Sequence, residues 1–178
     1  DDAEMLIQRG EILWDEGKLG EAIAAVRRSR ELAPDGPARD LLRDMLFDGL
    51  RTDFAAYQGQ RDEVERLLDE PSQRATWLRL MTSGLERTGQ FGPALEYHLK
   101  LVDLDSGNRE MEKIDGAYGV RRDRWSQTQL ARMRESAPAE ARTRIDAMVQ
   151  TRLDAALTEN SPQALARLPV LYRAPLVL

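Results

Sequence analysis

The chemistry this chain could perform is limited by its shortest inventory. It has one histidine, His98, and no cysteine. No disulfide, thiolate metal site or cysteine nucleophile can form, and no site can draw on two imidazoles. Because a chain without cysteine tolerates reducing and oxidising surroundings equally, the compartment stays open between cytoplasm and periplasm. His98 lies in an apolar stripe with Ala94, Leu95, Leu101 and Val102. A general base needs a nucleophile on one side and an orienting partner on the other, and no Ser–His–Asp order can be assembled around it. Its alternative role is that of a packed core or half-exposed side chain.

Three other groupings carry chemical potential. Asp40, Asp44 and Asp48 recur every four residues and would share one helix face. Stacked carboxylates can attract a cation, but cation sites draw their ligands from several elements or a tight loop. Arg43 and Arg51 stand close enough to compensate them, which makes the stripe a solvated face. Arg121, Arg122, Arg124 and Trp125 form the densest basic and aromatic cluster. They could contact phosphate and stack a base, or clamp a peptide carboxylate; in the alternative, Trp125 packs inward while Asp123 and nearby acids pair with the arginines. Gly116-Ala117-Tyr118-Gly119 has no strand before it and no Lys-Ser/Thr after it, so it is no phosphate loop. No carboxylate pair stands out for glycoside or proton-transfer chemistry, and neither a cofactor nor a metal site is expected.

Charge narrows the partner class. The net charge is −5, from 26 basic and 31 acidic side chains. Residues 1–110 hold 15 basic against 23 acidic groups, and residues 111–178 hold 11 against 8. A surplus of three positive charges over the second segment is small for a nucleic-acid binder, and the acidic first part opposes one. Arginine outnumbers lysine 23 to 3, a bias that GC-rich coding DNA explains as well as phosphate recognition does. No run of about 18 apolar residues that would span a membrane and no targeting segment is present, so membrane insertion is not expected. With 42% hydrophobic and 32% charged residues in 178, the composition is that of one globular domain or one repeat array. The Asp-Asp start and apolar Pro175-Leu176-Val177-Leu178 end read as cuts inside a longer protein.

The elements that must carry these groups are helices, and they repeat. Gly17-Lys18-Leu19-Gly20-Glu21-Ala22-Ile23 matches Gly89-Gln90-Phe91-Gly92-Pro93-Ala94-Leu95 in five of seven positions by kind, 72 residues on. Each copy stands between two amphipathic patterns. Leu6, Gly10, Leu13 and Trp14 precede the first, and Ala22, Ile23, Val26 and Leu32 follow it. Trp77, Leu78, Met81 and Leu85 precede the second. Such spacing puts apolar groups on one helix face. Gly17 and Gly89 supply the left-handed residue that ends the first helix of each hairpin, and Ala22 and Ala94 let its two helices approach.

This pattern resembles the tetratricopeptide repeat, a 34-residue helix–turn–helix. Leu6, Gly10, Leu13, Gly17, Ala22, Val26 and Pro34 fit its positions in the first copy. The second copy is looser: Leu78, Thr82 for glycine, Leu85, Gly89, Ala94, His98, and Ser106 where proline is expected. The resemblance covers about 70 residues. Between the copies, Pro37 opens a helix through Leu41, Leu42, Met45, Leu46, Leu50, Phe54 and Tyr57, and a short helix with Val64, Leu67 and Leu68 stops before Pro71.

The last third departs from the repeat. Asp105-Ser106-Gly107-Asn108 reads as a turn, and the stretch around Gly116 and Gly119 as a loop with at most a short helix. Helices are expected from about Val120 to Glu135, from Pro138 through Leu157, and after Ser161-Pro162 through Leu165, Leu168 and Leu171. No strand is predicted. The turn at Gly89-Gln90-Phe91, the Ile114–Gly116 segment and the Arg121–Trp125 run also resemble helical regions beside quinoprotein-type β-propellers in large bacterial proteins, which implies a propeller outside these residues.

The expected fold is therefore all-α: an α-α superhelix of stacked hairpins over residues 1–108, with a C-terminal helical extension over 109–178 packed on it. A single hairpin cannot bury its apolar face, so hairpins stack and their first helices, about 3–15, 38–57 and 74–88, line a concave face. The expected function is a non-enzymatic interaction or scaffold module that takes a partner peptide or domain there. Arg9, Arg43, Arg51, Arg79 and Arg87 are the basic groups on those helices, with Arg121, Arg122 and Arg124 beyond them. The alternative is a structural spacer docking on a neighbouring domain of the same chain.

Overall fold

A computed structural model of the chain describes residues 2–34, 36–104, 111–115 and 118–159. The protein is all-α. Its helices divide into two compact units, residues 1–80 and 81–178.

The first unit opens with α1 (Ala3–Asp15), which starts because the Asp2 carboxylate accepts the Glu4 N–H at 3.4 Å. The helix ends at Gly17, whose φ of +76° is open to glycine at little cost. There the Gly17 N–H donates to the Trp14 carbonyl at 2.9 Å and the Lys18 N–H to the Leu13 carbonyl at 2.8 Å, satisfying the last turn. Helix α2 (Leu19–Leu32) follows and packs on α1. The two cross at Gly10, where a Cβ would stand 2.5 Å from Val26 Cγ2, closer than any side chain tolerates. Ser29, fully buried near the end of α2, donates to the Ala3 carbonyl at 2.7 Å and ties the open end of the hairpin.

Helix α3 (Ala38–Thr52) packs on α2. Leu42, Met45, Leu46 and Leu50 line its inner face, none more than 1% exposed. Burying such a side chain stabilises the fold by roughly 2 kcal/mol. The helix expected to run to residue 57 is instead broken at Asp53. That residue leaves helical geometry (φ −139°, ψ 77°), and its carboxylate caps the next short helix, α4 (Phe54–Tyr57), by accepting the Ala56 N–H at 3.1 Å. A short polar side chain that bonds its own backbone competes with helix continuation, which apolar periodicity does not register. A 3₁₀ turn (Gln58–Gln60) and α5 (Arg61–Arg66) complete the segment, with Val64 and Leu67 fully buried.

Helix α6 (Pro71–Arg87) begins earlier than the residue-74 start expected, with proline at its first position, where a missing N–H does no harm. The Gln73 side chain accepts from the Asp69 and Glu70 N–H groups at 2.9 and 3.2 Å. Its end reproduces that of α1. Gly89 has φ +75°, its N–H donates to the Glu86 carbonyl at 3.0 Å, and the Gln90 N–H donates to the Leu85 carbonyl at 2.8 Å.

In the second unit, α7 (Phe91–Leu104) buries Ala94, Leu95, His98, Leu99, Leu101 and Val102. The stretch read as a loop is an antiparallel pair, β1 (Met111–Asp115) with β2 (Tyr118–Arg121), in register Met111 to Arg121 and irregular between Lys113 and Asp115. Strand pairing is made by backbone groups, so a pair this short carries no side-chain periodicity to announce it. Helices α8 (Arg122–Ser136) and α9 (Ala139–Glu159) follow, both packing on α7. Leu130, Met133 and Ile145 are their buried anchors. The expected turn at 105–108 and the expected helix after Ser161 lie outside the described residues.

Candidate functional site

The arginines singled out from the sequence are placed differently from one another. Arg9, Arg51 and Arg87 are exposed on α1, α3 and α6. Arg43 is committed: its guanidinium lies 2.6 Å from Asp40 and 2.9 Å from Asp44, and its side chain is only 11% exposed. Arg79 is half-buried and donates to Thr76 Oγ1 at 3.4 Å. Arg121 ends β2, half-exposed, and Arg124 is exposed on α8; the side chain of Arg122 lies outside the described set.

The aspartate stripe is resolved by these contacts. Arg43 takes Asp40 and Asp44, while Asp48 accepts the indole N–H of Trp14 at 2.9 Å. Asp48 thus has a partner on α1, where the sequence offered Arg51. Among the described residues, no group of three or more His, Asp or Glu side chains could hold a metal ion. The stripe is an ion-paired helix face with one carboxylate turned into a helix contact.

Two further polar ties in the first unit were not anticipated. Arg27 on α2 donates to both carboxylate oxygens of Glu63 at 3.1 and 2.6 Å and to Gln60 Oε1 at 2.7 Å. Arg39 on α3 reaches the Arg66 carbonyl at 3.1 Å and Asp69 at 2.6 Å. A signal for the first of them did exist, though not for Arg39, whose partners lie 27 and 30 residues on. Trp14 and Asp48 are 34 residues apart, Arg27 and Gln60 33, and Arg27 and Glu63 36. Polar residues separated by about one hairpin length face each other when successive hairpins pack in register.

The second unit holds the most unusual polar group. His98 is fully buried, and among the described residues neither ring nitrogen makes a hydrogen bond of good geometry. Its ring lies 6.2 Å from that of Trp125, tilted by 39°. Burial pushes its pKa down to about 4, opposed only by the nearby Ser126 backbone. The imidazole is therefore neutral at pH 7 and sealed from any substrate. Trp125 is half-buried, with its ring beside that of His98. Around this contact, Glu86 on α6 accepts from Gln129 and lies 3.5 Å from Arg132, Arg134 pairs with Asp146 at 2.6 Å, and Arg152 pairs with Asp103.

Two open grooves lie within the units. One, of about 390 Å³, runs between α7 and α9 over Leu99, Ala147, Met148, Thr151, Arg152 and Ala155. The other, about 420 Å³, borders the Gly17 turn, Glu21, Thr52, Asp53 and Tyr57. Neither brings together a nucleophile, a base and an orienting group. No helix among the described residues is long and apolar enough to cross a membrane. No protein family, curated protein or solved structure matches the chain.

Proposed function

We propose that the chain is a non-enzymatic interaction module, a short tetratricopeptide-like array whose stacked hairpins form a superhelix and present their first helices to a partner. The observation that carries this reading is the turn at Gly17 and Gly89. Two hairpin turns 72 residues apart share a left-handed glycine near +75° and the same pair of closing hydrogen bonds. The polar ties about 34 residues apart support it, since that is the period of such a repeat. Arg9 and Arg51, exposed on first helices of the first unit, would meet a partner peptide bearing acidic groups, whereas Arg43 is held by its aspartates. The test is capture of partners from the source lysate on the immobilised chain, read by mass spectrometry. A saturable partner lost in the R9E/R51E variant supports the groove; a partner held equally well by that variant sinks the assignment.

A second reading rests on a different observation. Met5 and Ile12, seven residues apart on α1, are 63% and 59% exposed. An apolar stripe of this kind suits a spacer domain docking on a neighbouring domain of a longer chain. It predicts no partner in trans, and loss of the neighbouring contact in M5E/I12E.

A further inference from the structure

His98 occupies the position in its hairpin that Val26 occupies in the first, 72 residues earlier. The partner positions, Gly10 and Thr82, are both buried. Where the first unit has an apolar crossing, the second has a titratable ring closed in by α7 and α8. We propose that the contact between α7 and α8 is an acid-released latch: when His98 takes a proton, a charge with no carboxylate to pair it forms inside the core and α8 leaves α7.

The surroundings offer the imidazolium one partial compensation, the Ser126 backbone, and burial outweighs it. Trp125 presents a ring and Ser126 its backbone from α8. Among the described side chains, the charged groups on the packed elements are engaged with each other or turned to solvent. Glu86 on α6 is held by Gln129 and Arg132 of α8, Asp146 on α9 by Arg134, and Asp103 on α7 by Arg152 of α9. Arg124 of α8 and Glu96 and Lys100 of α7 are exposed. Burying an unpaired charge is far more costly than burying a neutral ring, so at pH 5 the ring charges chiefly with the contact opened.

The size of the effect follows from linkage. With the ring at about 4 when closed and at its ordinary 6.5 when open, opening is favoured about 30-fold more at pH 5 than at pH 8. The limit below pH 4 is about 300-fold.

As the only histidine, His98 gives a single imidazole resonance in the intact chain. The experiment follows that resonance and amide hydrogen exchange, corrected for intrinsic rates, from pH 8 to pH 4.5. Protection of residues 125–133 should fall about 30-fold by pH 5, α1 to α3 should stay protected, and the resonance should move in the same window. His98→Leu should hold α8 protection constant; His98→Gln, neutral and closer in polarity, gives the same reading if leucine disturbs packing. A resonance titrating near 6.5 with α8 intact would overturn the latch. So would flat α8 protection, simultaneous loss of α1 to α3, or both variants behaving as wild type.

Discussion

The turns at Gly17 and Gly89 are nearly superimposable in conformation, yet the helices they join are held to the rest of their units by different means. In the first unit, α1 meets α2 at Gly10 with no room for a Cβ, and Trp14 reaches Asp48 34 residues on. In the second, Thr82 stands for Gly10, His98 for Val26, and Glu86 for Trp14. Glu86 finds its partner, Gln129, 43 residues on, because the β1–β2 pair intervenes before α8. The turn is set locally, by one left-handed residue and two backbone bonds, so it survives substitution of everything around it. The packing is set by side-chain volume at the crossing and by whichever polar group the next element supplies. One unit uses steric closeness and the other a buried polar ring, and they should fail under different stresses.

The crossing at Gly10 gives the largest expected difference. Gly10→Leu should destabilise the first unit by about 3 kcal/mol or more, since Val26 would have to move away from the new side chain. Thr82→Val at the equivalent place should cost only about 1 kcal/mol. Urea unfolding followed by circular dichroism measures both, and equal costs would break the comparison.

Acid should separate the units next. The folded His98 pKa is about 4 against an ordinary 6.5, so the unfolded chain binds the extra proton between those values. This contribution to stability is fully present above pH 6.5, is lost as pH falls towards 4, and amounts to about 3 kcal/mol. Thermal unfolding of His98→Leu should lack that loss. Val26→His should transplant it to the first unit, where exchange at α1 and α2 would become acid-sensitive.

The polar ties should matter less. Trp14→Phe removes the indole bond to Asp48, and Glu86→Gln weakens the tie to α8; each should cost about 1 kcal/mol. A double-mutant cycle of Trp14→Phe with Asp48→Asn isolates the first, and a coupling near zero would mean that packing alone holds Trp14. The smallest expected difference is at the turns. Gly17→Ala and Gly89→Ala should each cost about 1 kcal/mol through left-handed strain, because nothing lies within 4 Å of either added Cβ. A clear gap between the two would show that the turns are not equivalent.

Much of the helical layout was legible in the residues alone. Apolar periodicity marked α1, α2, α3, α7 and α9, and the glycines of the two turns marked their reversals. Three features were not legible. Asp53 breaks α3 through a side-chain bond to its own backbone, which a pattern continuing through Phe54 and Tyr57 conceals. The β1–β2 pair rests on backbone bonds, to which side-chain pattern is blind. Among the candidate site residues, sequence could name the arginines but not distinguish Arg43, held by Asp40 and Asp44, from exposed Arg9 and Arg51.

By itself the sequence determined that the chain is helical, that two hairpin turns repeat 72 residues apart, and that its one imidazole sits on an apolar face. Helix formation and turn conformation depend on neighbours within about four residues, so local residue type suffices for them. Only the tertiary structure decided that His98 is sealed beside Trp125 and the Ser126 backbone, that Asp48 belongs to Trp14, and that Glu86 waits for Gln129 beyond a strand pair. Those outcomes depend on which elements meet. That is fixed by volume and polar satisfaction across 30 to 50 residues of chain, a range over which residue spacing alone carries no geometry.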